Sequence, residues 1–311
     1  MSFNRIALAA TVAFALTTGT ASAGDPESCK EVRFSDVGWT DIQATTGITT
    51  AILKGLGYEP RVDILAVPVT YQSLKNKDID VFLGNWMPSM AGDVKPFLDD
   101  KSVEQSSVNL EGAGYGLVVP KYVSEGGVKS LADLSKFKDN FDGKIYGIEA
   151  GNDGNRIVQG FIDDTANNLK DWELVESSEQ GMLAQAQKFI DDQEWIVFLG
   201  WTPHPVMGAM DLVYLDGMGD SGFGSATVYT NVRAGYTSEC ANVGKLLSNL
   251  KFDLPTEGAI METILDDGKD GETAATEWLK ANPGSLDAWL AGVTTFDGQD
   301  GLPAVKASLG L

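Results

Sequence analysis

The stretches Ile79-Asp80-Val81-Phe82-Leu83-Gly84-Asn85-Trp86 and Glu194-Trp195-Ile196-Val197-Phe198-Leu199-Gly200-Trp201 decide the fold class. Each is a short apolar run that closes on a glycine and then a tryptophan. Apolar runs of this length bounded by turn signals read as buried strands, which assigns 79–83 and 195–199 to strands and puts Trp195 inside one. Outward from them, Val32-Arg33-Phe34-Ser35 reads as a first strand. A helix follows over Thr40–Lys54, with Ile42, Ile48 and Ile52 among its apolar positions and a stop at Gly55 and Gly57. Val62–Val67 reads as a strand and Thr70–Asn76 as a short helix. Tyr115–Val119 and Lys144–Ile148 are further strands, and Asn155–Asp164 and Glu179–Asp191 further helices. After Tyr229 the pattern is helical to the end, broken at Pro283-Gly284. This alternation specifies an α/β fold with mostly parallel sheets.

The opening residues carry the three parts of a secretory leader over 1–23. Arg5 is the positive region, Ile6–Leu16 the apolar core, and Ala21-Ser22-Ala23 the small-residue cleavage site before Gly24. The apolar run falls well short of the roughly 20 residues that span a bilayer. An exported, periplasmic product is expected. Residues 24–311 exceed the size at which a single core usually stops growing, so two lobes are expected. No Pro/Gly-rich linker separates them, which leaves crossing strands near Gly112–Leu117 and Ala226–Ala234. Lobe I then comprises 24–112 and 228–311, and lobe II 113–227. Cys29 and Cys240, the two cysteines, fall in one lobe. In an oxidising compartment they are expected to form a disulfide, the alternative being two buried free thiols.

The formal charge of −21 disfavours phosphate backbones and anionic lipid surfaces, so no nucleic-acid partner is expected. Such acidity is compatible with a cationic ligand but does not select one. Gly219-Asp220-Ser221-Gly222 resembles a serine-protease nucleophile segment, yet the chemistry needs a histidine base oriented by an aspartate. His204, the one histidine, is flanked by prolines. Asp266, Gly268, Asp270, Gly271 and Glu277 form a defective calcium loop, with glycine where an oxygen ligand belongs. One histidine and two distant cysteines make no zinc set, and no phosphate-cradling glycine motif occurs. Neither metal, cofactor nor catalytic residue is expected.

Seven tryptophans could all be core. Trp39, Trp86 and Trp201 differ from the rest, because each is read just beyond the carboxyl end of a strand, where α/β sheets bind ligands. Trp172, Trp195, Trp278 and Trp289 keep the packing reading. A quaternary ammonium has no N–H to donate, so what attracts it is the π-face of aromatic rings. At about 0.5–2 kcal/mol per ring, four rings supply roughly 2–8 kcal/mol, against about 8 kcal/mol for micromolar affinity. Asp41 is the natural carboxylate beside such a cation, and equally a helix-start residue. The loop Gly151-Asn152-Asp153-Gly154-Asn155 reads either as a polar ligand contact or as a turn with an N-cap.

The ordered set GWTD (38–41), LGNWMPSM (83–90), GAGYGL (112–117), GNDGN (151–155), LGWTPHPVM (199–207) and EWLKANPGSLDAWL (277–290) resembles the ABC-transporter substrate-binding proteins for glycine betaine and choline. The resemblance runs over essentially all of 24–311. It implies the two-lobed periplasmic binding protein fold (type II-like), with a ligand cleft between the lobes that closes on binding. It also implies an aromatic box of Trp39, Trp86, Tyr115 and Trp201, with Asp41 near the cation and Asn152 at the ligand's hydroxyl end. A membrane permease and a monomeric, non-enzymatic capture protein follow from the same likeness. Choline is favoured over glycine betaine, since Asp41 would repel a carboxylate and no Arg or Lys stands beside a box motif. His204 is the nearest candidate donor. Glycine betaine, acetylcholine and proline betaine are the alternative ligands, and an enzyme or a sensory receptor the alternative roles.

Overall fold

The computed structural model describes residues 24–311, so the leader assigned to 1–23 lies outside the described residues. Nine strands form one continuous sheet: β1 (Glu31–Asp36), β2 (Glu59–Ile64), β3 (Val81–Met87), β4 (Val103–Pro120), β5 (Lys144–Tyr146), β6 (Glu173–Val175), β7 (Phe198–Thr202), β8 (Leu212–Tyr214) and β9 (Gly224–Arg233). Their order is β2-β1-β3-β9-β4-β7-β5-β6, with β8 paired to β4. The flanks are parallel, β1 with β2 and β3 and β5 with β6 and β7. The middle is antiparallel, β9 with β3 and β4 and β4 with β7 and β8. The expectation of mostly parallel sheets is therefore corrected to a mixed sheet. Apolar runs tell that a strand is buried, not which way its neighbour points.

The length of β4 joins the two flanks. Its first half pairs with β9 from Val103 opposite Arg233, and from Gly114 onward it also pairs with β7. Register shifts at three places along β4, the last between Leu110 and Ala113, bend the ladder between the flanks. Asp80 pins the β1 side of this junction. Burial raises its carboxyl, but hydrogen bonds from Arg33 (2.8 Å) and Arg233 (2.6 Å) prevail and hold it below the usual carboxylate range.

Several local expectations shift. The strand read over 62–67 is β2, ending at Ile64; Val67 instead opens a helix, Val67–Asn76, with Pro68 in its first turn where a missing N–H costs nothing. The chain is not helical from Tyr229, because β9 continues to Arg233; helices follow from Tyr236 onward. Trp195 precedes β7 rather than lying within it, packed on Phe137 and Phe141. The helices Thr40–Gly55, Glu179–Asp191 and Asp153–Asp163 stand within two residues of their expected bounds. Cys29 and Cys240 are disulfide-bonded, their Cα atoms 5.6 Å apart. A cross-link over so long a separation removes on the order of 5 kcal/mol of unfolded-chain entropy. Among the described residues no helix is long and apolar enough to cross a membrane.

Candidate ligand-binding site

Trp39, Trp86, Tyr115 and Trp201 meet around a small cavity, whose wall is completed by Asp41, Ile148 and Asp153. Each reaches it by a different local route. The chain leaves β1 and turns at Gly38, whose N–H donates to Asp36 Oδ1 (2.7 Å). Trp39 is then the N-cap residue of the helix Thr40–Gly55, with no capping side chain of its own. The orphan N–H of Thr40 is met from the opposite flank by Glu179 Oε2 at 2.9 Å, and the Thr40 hydroxyl donates to the same carboxylate. Asp41 sits in the first turn, facing the cavity.

Trp86 and Trp201 lie within the last residues of β3 and β7, a small correction to the reading that put them past the strand ends. In β3 a register shift between Phe82 and Asn85 changes the pairing with β9 ahead of Trp86. Tyr115 of β4 stands directly opposite Trp201 across the ladder. Its ring centroid lies 6.0 Å from Trp86 and 6.3 Å from Trp201, and Phe223 packs behind it at 5.1 Å. The Tyr115 hydroxyl donates to Asn152 Oδ1 (3.2 Å) above a residue that must be glycine: a Cβ at Gly154 would lie 1.9 Å from that hydroxyl.

No box residue is more than 6% exposed, so the cleft is shut. Inside it the charged groups are acids. Asp41 accepts from Trp86 Nε1 (3.1 Å) through Oδ2, while its Oδ1 has no partner. Burial, with the neighbouring Glu179 charge adding to it, pushes Asp41 up to about 8 against a weaker pull from Trp86. Glu149 accepts from Trp39 Nε1 at 3.1 and 3.0 Å, and burial lifts it to about 7 despite Trp39 and Asn152. Asp153 is raised to about 6 by burial. Neither of its oxygens is hydrogen-bonded, since the nearby Ser89 hydroxyl, which offsets part of that rise, donates to the Trp86 carbonyl. No Lys or Arg among the described residues lines the cavity.

His204 does not act as a spare donor. Its Nδ1 accepts from Val206 N (3.2 Å), which puts the proton on Nε2, and Nε2 faces Glu179 Oε1 at 3.2 Å. The ring packs edgewise on Trp201, 5.0 Å between centroids. Asn152 caps the helix Asp153–Asp163, its Oδ1 accepting from Gly154 N (2.7 Å) and Asn155 N (3.3 Å). It stands behind Tyr115 and is not part of the cavity wall. Its neighbour Asp153 is, along with Ile148; sequence reading missed both. A signal for Asp153 existed, a carboxylate at the first helical position inside a loop that reads as a ligand contact. None existed for Glu149 and Glu179, which meet Trp39 and Thr40 across 110 and 139 residues of sequence.

Comparison with known proteins agrees with this geometry. The family described as the substrate binding domain of ABC-type glycine betaine transport systems matches residues 30–281. An ABC-transporter choline binding protein in complex with choline is 57% identical over 92% of this chain and 100% of its own, with a TM-score of 0.89. An ABC-transporter choline binding protein in an unliganded semi-closed conformation is 58% identical over the same shares, with a TM-score of 0.83. Lactococcal OpuAC, closed on glycine betaine, is 29% identical over 83% of this chain and 98% of its own, with a TM-score of 0.76.

Proposed function

The chain belongs to the substrate-binding proteins of ABC-type glycine betaine transport systems, and from that premise we propose that it captures choline for import. The observation that carries the choice of ligand is a box of four aromatic rings whose charged neighbours are all carboxylates. A trimethylammonium group presents a diffuse positive charge with no N–H, which indole and phenol faces attract and nearby carboxylates reinforce. The carboxylate of betaine would need donors at the far end. His204 already spends both ring nitrogens, and Asp41 and Asp153 would repel it. Choline's hydroxyl can instead donate to the unpaired Asp153, whose helix start Asn152 caps from behind Tyr115. The 57% identical choline-bound protein supports the same choice.

In this reading residues 1–23 direct export, and the mature protein works as a periplasmic monomer without catalysis. Lobe I is 24–112 with 228–311 and lobe II is 113–227. The lobes close on choline and the closed form docks on an inner-membrane permease. The two-lobed architecture of its relatives and the placement of β4 and β9 between the flanks support this division.

The test is a calorimetric titration of refolded protein, freed of any copurified ligand, with choline, acetylcholine and glycine betaine in parallel. Tight choline binding with much weaker betaine is the expected result. Betaine binding as tightly as choline would overturn the choice of ligand and leave the family untouched.

A further inference from the structure

Of the three box indoles, Trp39 alone has its N–H partner on the opposite flank of the sheet. Trp86 donates to Asp41, which belongs, like β3, to the β1 flank; Trp201 Nε1 is buried without a partner. Trp39 leads out of β1, whereas Glu149 follows β5, and four strands (β3, β9, β4 and β7) separate the two in the sheet. Glu149 nonetheless accepts from Trp39 Nε1 with both oxygens, at 3.1 and 3.0 Å, and its own orientation is fixed by Asn152 Nδ2 at 3.3 Å. The bond can therefore exist only when the flanks are together.

We infer that Glu149 is a positioning residue that completes the box on closure, fixing the Trp39 indole across the cleft and so coupling lobe closure to recognition of the cation. The inference rests on the choline reading above and deepens it. Two physical effects act in one direction. The two-oxygen acceptor fixes the plane of a buried ring that makes no other hydrogen bond. An indole N–H donating to a carboxylate also leaves more electron density on the ring face, which strengthens attraction for a cation. Glu149 is absent from the cavity wall, so it acts on the ligand through Trp39 rather than by contact.

A double-mutant cycle separates this from a general charge effect. Choline affinity is measured by calorimetry for wild type, Glu149→Ala, Trp39→Phe and the pair, with Glu149→Gln alongside. Glu149→Ala is expected to weaken choline about tenfold in the wild-type background. In the Trp39→Phe background, where no indole N–H remains to be held, it should cost no more than about twofold. Glu149→Gln, which keeps an acceptor, should recover most of the loss. Equal losses in both backgrounds, or no loss in the wild type, would overturn the inference. Should the alanine variant fail to fold, the wild type still decides. Choline should slow hydrogen exchange at the Trp39 indole N–H far more than at Trp278, and exchange unmoved by choline would refute the cross-cleft bond. Absence of choline binding by the wild type would be seen first, and would bring down the ligand reading itself.

Discussion

The ends of β3 and β7 deliver tryptophan to the cavity from opposite flanks with nearly the same residues, Val81-Phe82-Leu83-Gly84-Asn85-Trp86 and Val197-Phe198-Leu199-Gly200-Trp201, yet they hold the two rings differently. β3 has one residue more between glycine and tryptophan. The register with β9 shifts between Phe82 and Asn85, and the Asn85 side chain enters a buried network, accepting from the Tyr71 hydroxyl (3.0 Å) and donating to Asn231 (3.3 Å). Trp86 then donates its indole N–H to Asp41. β7 lacks the extra residue, and Trp201 is held by packing alone, against Tyr115 and His204, with its N–H orphaned. One ring belongs to a hydrogen-bonded frame that its own flank supplies; the other is seated by its neighbours. The same strand-end device thus yields a fixed wall and an adjustable one.

The sharpest way to break this comparison is to truncate each ring in turn. Trp86→Ala removes an attraction for the cation of up to about 2 kcal/mol. It also leaves Asp41 without any hydrogen bond, a further cost of about 1–3 kcal/mol. Choline affinity should therefore fall on the order of a hundredfold in a calorimetric titration. A loss no larger than that of Trp201→Ala would show that the frame around Trp86 contributes nothing.

Asp41→Asn probes the frame without removing the ring, because an amide oxygen can still accept from Trp86. Losing the buried charge opposite the cation is expected to weaken choline about thirtyfold. Betaine should suffer less, since its carboxylate gains from the lost repulsion. The ratio of the two affinities is the reading that matters, and a ratio equal to that of the wild type would remove Asp41 from the account of specificity. Trp201→Ala should come next, at about tenfold, because the ring's pull on the cation goes while no hydrogen-bonding group is stranded.

How much of this was legible in the sequence follows from which forces are local. The helix over Thr40–Gly55 and the tryptophans at strand ends follow from apolar periodicity and glycine stops, which depend on neighbours a few residues away. Trp39, Trp86 and Trp201 could be singled out on that basis. Tyr115 could not, because an aromatic residue in a strand is ordinarily packing, and it entered only through the family likeness. Strand direction and the register shift at Asn85 depend on partners far along the chain, which is why apolar runs alone suggest a mostly parallel sheet where the real one is mixed. The buried acids are a stronger case. Asp41 looks like a helix-start residue and Glu149 like a solvated one until the fold brings Trp86 and Trp39 to them.

The smallest expected effect concerns the empty cleft, and it asks whether the acids on the two flanks behave as one unit. The ordinary values are 3.8 for an aspartate and 4.5 for a glutamate, and Asp41, Glu149 and Asp153 are expected to return toward them once opening gives them water. In the shut form they stand at about 8, 7 and 6, chiefly because burial disfavours the charged state. The charge of Glu179 raises Asp41 further, Asp41 in turn raises the fully buried Glu257, and no cation among the described residues lines the cavity to offset them. For an acid whose pKa rises on closing, the closed state binds more protons. Closure of the empty protein is therefore easiest below about pH 4 and grows steadily harder as the pH climbs toward 8. A bound cation reverses this by stabilising the ionised acids where they are buried. Small-angle scattering of ligand-free protein should accordingly show a smaller radius of gyration at pH 5 than at pH 8. Choline should abolish the difference by closing the cleft at both. Ligand-free compactness that stayed constant across that range, or increased with pH, would mean that the acids do not hold the empty cleft open and that closure is governed by the aromatic walls alone.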